Sequence, residues 1–131
     1  MLKTILPALI LLTQILRPAA FQSDIVDTLS TLFKSANSKE ISKNFSSSIE
    51  LKVNDEEDVY SKAQAEQILR EFFTKSIPVN SSVVHLINTN PNYRFGILSL
   101  TTKNGKFRVA ITLKKTANTF FITELRIEPD K

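Results

Sequence analysis

The 131-residue chain has no cysteine, no tryptophan, two glycines and a single histidine. Without cysteine there is no disulfide framework, no thiolate nucleophile and no sulfur to carry a lipid at a processing site. Two glycines are too few for a glycine-rich loop that cradles phosphate. One histidine, His85, would need carboxylates beside it to hold a metal, and its extended-chain neighbours Val83 and Ile87 bring none to its face. No nucleophile stands with a base, and no pair of inward carboxylates is expected for acid–base work. The sequence therefore assigns no catalytic residue, no metal ligand and no cofactor.

What is present starts with a leader. Lys3 supplies a positive charge, and Ile5 to Leu16 form an apolar run broken only by Pro7, Thr13 and Gln14. Pro18-Ala19-Ala20 then places small residues ahead of the polar Ser23-Asp24, the order that export machinery recognises. Residues 1 to about 20 are expected to be a signal peptide, with residues 21–131 the mature domain. The run is shorter than the roughly 20 residues of a bilayer span, which ranks a retained anchor second. A buried N-terminal helix ranks beside it, since Pro7 would sit inside. Cleavage after Ala20 leaves Pro18 three positions back, a poor fit, so export is a firmer expectation than the cut site. Lys3 and Arg17 account for two of the +4 net charges, and the remaining balance is ordinary. Charge thus gives no case for nucleic acid, and a membrane is expected to be met only during export. About 110 residues can bury a core without disulfides.

Along the mature chain no repeat or linker appears, so one domain is expected. Ser23 or Asp24 can cap a helix whose Ile25, Val26, Leu29, Leu32 and Phe33 form one stripe. Asn37 can end it in a left-handed conformation, and Ser38 can cap a short helix carrying Ile41 and Phe45. Ile49, Leu51 and Val53 alternate with Glu50 and Lys52, a half-buried strand. Asn54 to Asp58 is expected to be a solvated acidic loop, because it lacks the glycine pivot and terminal glutamate of a calcium loop. Ser61-Lys62-Ala63-Gln64 is a capping box. Behind it Ala65, Ile68, Leu69, Phe72 and Phe73 share one helical face, and Pro78 stops the helix.

From Val79 onward the pattern is strand. Asn104-Gly105 is a residue pair favoured in two-residue hairpin turns, which puts Lys103 opposite Lys106, Leu100 opposite Val109 and Leu98 opposite Ile111. Phe107, Val109, Ile111, Leu113, Leu98 and Leu100 then make one apolar sheet face for the helices to cover. Gly96, opposite Leu113, is expected to mark a bend or bulge. The other face carries Phe95, Ile97 and Ala110, which Phe120 and Ile122 of the last strand can join. Glu124, Arg126 and Glu128 form a solvated charge ladder.

This order of elements resembles the nuclear-transport-factor-2-like fold, a bent antiparallel sheet of one early and four C-terminal strands curled round helices, in the α+β class. Longer segments are similar to a family of small secreted Bacteroidota proteins, domain of unknown function 4783. They are Tyr60 to Leu69 with Phe72-Phe73, Phe95 to Leu98, Asn104 to Val109 and Ile122 to Glu128. The resemblance covers the chain, leader included. It implies the fold and a location in a Gram-negative envelope, periplasmic or extracellular, and implies no activity.

Enzymes of such a fold place an acid, tyrosine or histidine inside the cone of sheet and helices. Here Phe72, Thr123 and His85 are the candidates for a cavity lining. Thr123 is expected to share its strand face with Phe121, Leu125 and Ile127. Tyr60 and Tyr93 fall at element boundaries and are expected to pack. The leading expectation is a non-catalytic ligand- or protein-binding module of the cell envelope, its partner an envelope protein or a small apolar ligand. The alternative is a structural homodimer through the outer face of Phe95, Ile97, Ala110, Phe120 and Ile122. A small-molecule isomerase or hydrolase ranks third.

Overall fold

The computed structural model describes residues 24–131, and the expected signal peptide at residues 1 to about 20, with its cut site, lies outside the described residues. Helix α1 (Ile25–Lys34) begins at Asp24, whose carboxylate accepts the Val26 N–H at 3.1 Å while Asp27 accepts the Asp24 N–H at 3.1 Å. This reciprocal pair satisfies donors that a bare helix start would leave open. Val26, Leu29 and Phe33 point into the core. The left-handed residue that follows is Ala36, at φ 56°, and not Asn37. Asn37 instead caps α2 (Ser38–Ser42) by accepting the Glu40 N–H at 3.2 Å, one residue earlier than expected. Its carboxamide is committed to the cap, and the turn falls to its neighbour.

Phe45 belongs to no helix; it opens strand β1 (Phe45–Val53). The acidic stretch is a turn only at Asn54 and Asp55. Glu56, Glu57 and Asp58 continue as β2 (Glu56–Ser61), paired with Val53, Lys52 and Leu51. The sheet therefore has six strands, not the five expected. At these three positions β2 is exposed on both faces, so no alternation marks it, and its carboxylates blunt an open sheet edge. The capping box at Ser61 forms as read: Ser61 Oγ accepts the Gln64 N–H at 3.2 Å and Gln64 Oε1 accepts the Ser61 N–H at 3.0 Å. It starts α3 (Lys62–Lys75), which buries Ala65, Leu69, Phe72 and Phe73. Strands β3 (Pro78–Ile87), β4 (Tyr93–Thr102), β5 (Gly105–Thr116) and β6 (Thr119–Pro129) complete the sheet, in the order β2-β1-β6-β5-β4-β3. Every neighbouring pair is antiparallel except β1 with β6, which run parallel.

The β4–β5 hairpin is two residues out of the expected register: Thr102 pairs with Gly105, Leu100 with Phe107 and Leu98 with Val109. Lys103 and Asn104 make the turn, and Gly105 alone takes a positive φ, of 126°. Asn104 is held by the end of α3, donating from Nδ2 to the Lys75 carbonyl at 2.8 Å. The Thr102 hydroxyl donates to the Gly105 carbonyl at 2.8 Å and accepts the Asn104 N–H at 3.2 Å. A slip of two leaves every side chain on its face. Leu98, Leu100, Phe107, Val109, Ile111 and Leu113 are accordingly all buried against the helices. Phe72 meets Phe107 edge-on at 5.0 Å, joining α3 to β5, and Phe33 meets Phe73 at 5.6 Å, joining α1 to α3.

Gly96 marks no irregularity in the β4–β5 pairing, where it stands opposite Ile111. Its role is close approach. A Cβ there would lie 2.5 Å from Val26 Cγ1, so α1 can lie on β4 only where the strand has no side chain.

A candidate binding groove where two parallel strands separate

The parallel ladder between β1 and β6 is interrupted. Phe45 pairs with Ile122 and the ladder resumes at Glu50 with Glu124, five residues along β1 against two along β6. Strand β1 therefore bows away from its neighbour. Ser46 and Ser47 lie in the bow and have no partner in β2 either, whose register with β1 starts at Ser48 and Ser61. The Ser46 hydroxyl reaches across to the Ile122 carbonyl at 3.1 Å.

Strand β6 has its own irregularity at the same level. Leu113 pairs with Ile122 and Thr112 with Glu124, which leaves Thr123 as the extra residue. Alternation is reset there, so Ile122, Leu125 and Ile127 are all fully buried. Thr123 consequently does not share a face with Leu125 and Ile127, as the unbroken period of two had implied. It lines a groove with Phe121 instead. The groove has a volume of about 440 Å³. Phe45 and Phe121 give it an apolar wall, Ser46, Ser47, Thr116 and Thr123 bring hydroxyls, and Lys62 and Lys114 bring positive charge. Neither lysine is in an ion pair among the described residues. No carboxylate or imidazole lines the groove.

The three cavity candidates do not come together. Thr123 lines this groove, whereas Phe72, only 5% exposed, borders a separate pocket of about 290 Å³ beside Asn54, Asp55, Glu71 and Lys75. His85 is exposed, opposite Ile97, and borders neither. It occupies the edge strand's outer face, so the expectation that it lines a cavity is corrected. Tyr60 is half-buried against α3, beside Gln64 and Ile68, and Tyr93 is half-buried at the start of β4. The groove itself was not legible beforehand, because Ser46 and Ser47 fall between the short helix and the strand read from Ile49 and carry no periodicity of their own.

The proposed outer face also needs correction. Phe95, Ile97 and Ala110 do share it, with Ile97 opposite Ala110 and Phe95 opposite Thr112, but Ile97 is buried at 8% exposure and offers no open surface. Ile122 is fully buried on the helix side, and Phe120 packs against the core beneath the Arg94 guanidinium, 4.7 Å from its ring centroid. Arg94 is held in turn by Asp24 at 2.9 Å, which ties the start of α1 to the sheet. The exposed large apolar residues beside β4 are Val84 and Ile87 of β3, 59% and 41% exposed, on the side away from the last strand.

Further along that face Arg126 contacts Glu57 at 3.0 Å, Glu128 at 3.4 Å and Glu124 at 3.6 Å, and Lys52 contacts Glu128 at 3.4 Å. Burial works to raise the Glu128 carboxyl, but Lys52 and Arg126 outweigh it and hold it below the ordinary glutamate value. Burial likewise works to lower Arg126, and its three carboxylate neighbours outweigh it and raise it. These mostly half-buried groups at the sheet surface form a structural ladder.

The family model named Domain of unknown function (DUF4783) matches residues 26–128. The chain belongs to this family. A DUF4783 protein from Bacteroides ovatus is similar at 32% identity, over 79% of this chain and 93% of its own, with a TM-score of 0.74. One from Bacteroides uniformis is similar at 26% identity, over 82% and 99%, with a TM-score of 0.77. A domain with a cystatin-like fold from Nostoc punctiforme shares the architecture alone, at 8% identity and a TM-score of 0.63 over 78% of this chain and 70% of its own. The DUF4783 chain thus has the nuclear-transport-factor-2-like, cystatin-like fold. The curated proteins gave no match.

Proposed function

We propose that this DUF4783 protein is an exported, non-catalytic binding module of the bacterial envelope that holds a ligand in the groove between β1 and β6. One observation carries the reading: two strands of a closely paired sheet separate at one place, and the opening has an apolar wall edged with hydroxyls and lysines. A concave, mostly apolar site with a few polar groups is the usual form of a small-molecule site. The charge, apolar run and small residues of positions 3 to 20 support export.

Amide NMR titration and thermal-shift screening of the purified protein against lipid and glycan panels test it. A ligand is expected to move the signals of Ser46 to Ile49 and Phe121 to Thr123. Ser47 is exposed, so Ser47→Trp is expected to obstruct the groove and abolish those shifts while changing stability by about 0.5 kcal/mol or less. Shifts that map elsewhere, or that survive in the tryptophan variant, overturn the reading.

A second reading is a homodimer through the outer face of β3 and β4, favoured by Val84 and Ile87 standing exposed beside Phe95. Ile87→Lys is expected to halve the molar mass in light scattering. A mass unchanged by the substitution removes this face from consideration.

A further inference from the structure

The groove's charge and chemistry define a narrower class of ligand. We infer that it takes a small amphiphile with an anionic head, such as a carboxylate, on an aliphatic or aromatic body. The inference rests on the binding-groove reading and adds the sign and shape of the ligand.

Three observations carry it. Lys62, at the start of α3, and Lys114, on β5, both border the groove, and no carboxylate does. With no ion pair to either lysine among the described residues, the two ammonium groups give the opening an uncompensated positive field. The second observation is the bow in β1. Ser46 and Ser47 stand opposite no residue of β2 or β6; the Ser46 and Thr123 hydroxyls donate to the Ile122 and Thr112 carbonyls, and those of Ser47 and Thr116 are in no side-chain hydrogen bond among the described residues. Such groups suit the oxygens of an anion, because hydrogen bonds to a charged acceptor are the stronger ones. Third, the half-buried Phe121, backed by the buried Phe45, leaves an apolar surface next to this polar edge, which a bare inorganic anion would not cover. Lysine is a flexible point charge and not a planar fork, so the site favours a head held by charge over one read by bidentate geometry.

The test compares three probes of equal chain length on the full protein: octanoate, octanol and octyltrimethylammonium. Octanoate is expected to bind about 10-fold more tightly than octanol, with amide shifts at Ser46, Ser47, Phe121 and Thr123, and the cation is expected to give none there. Lys62→Gln with Lys114→Gln is expected to remove most of the advantage of octanoate over octanol. Raising the salt concentration is expected to weaken octanoate alone. If octanol binds in the groove as tightly as octanoate, or the double variant keeps the preference, the anionic assignment fails while the groove reading stands. If none of the three probes shifts the groove signals, both fail together.

Discussion

Replacing Phe33 by alanine is expected to lower the unfolding free energy by about 3–5 kcal/mol, the range for emptying a large aromatic site in a packed core. Phe33 is fully buried near the end of α1. Its ring meets that of Phe73 at 5.6 Å with an interplanar angle of 76°, and Phe73 in turn lies 5.7 Å from Phe72. Phe72 then meets Phe107 on the sheet. One chain of rings thus ties α1 to α3 and α3 to β5, so the cavity would open where the elements meet. Urea unfolding of wild type, Phe33→Ala, Phe73→Ala and the double variant checks this. The cycle is expected to give about 0.5–1.5 kcal/mol of coupling from the edge-to-face contact. A loss below about 1 kcal/mol for Phe33→Ala would mean that the site collapses freely and that α1 is not fixed by this packing.

Gly96→Ala is expected to destabilise by about 1–3 kcal/mol, although a local argument gives the opposite sign. Glycine inside a strand gains no packing and loses more backbone freedom on folding, so alanine ought to help. The added methyl, however, would lie 2.5 Å from Val26 Cγ1 and 3.0 Å from Cγ2. Valine is stiff at χ1 and this one is fully buried, so the clash is relieved only by moving α1 off the sheet. Overpacking exceeds the propensity gain. Val26→Ala makes room, and the Gly96→Ala, Val26→Ala double variant is expected to be more stable than the two separate losses would add up to. Strict additivity, or a Gly96→Ala protein more stable than wild type, would show that helix and strand are not in contact at this point.

Both expectations concern residues whose type was plain in the sequence and whose setting was not. Phe33 could be placed on a buried stripe because helical periodicity repeats within ten residues. Gly96 looked like a bend, since nothing near it in sequence names Val26, 70 positions earlier, as the group that excludes a side chain. The same division runs through the candidate sites. Phe95, Ile97 and Ala110 were correctly grouped because they flank one hairpin, where a two-residue error in register preserves the face. Phe120 and Ile122 were assigned to the wrong face of the last strand, and Thr123 was grouped with neighbours that turn into the core.

Caps, periods and segments that depend on near neighbours made α1 and α3 with their caps, the apolar face of the hairpin and the family legible in the sequence, whereas the cap of α2 was placed one residue late. Long-range packing alone set Glu56 to Asp58 into a strand, pressed α1 onto Gly96 and opened a groove between Phe45 and Thr123. The Ser46 hydroxyl bonds across to the Ile122 carbonyl, 76 positions away. Where strands so distant pair in parallel, the residues that must be left over are set by the fit of one strand to the other, and neither strand carries that information alone.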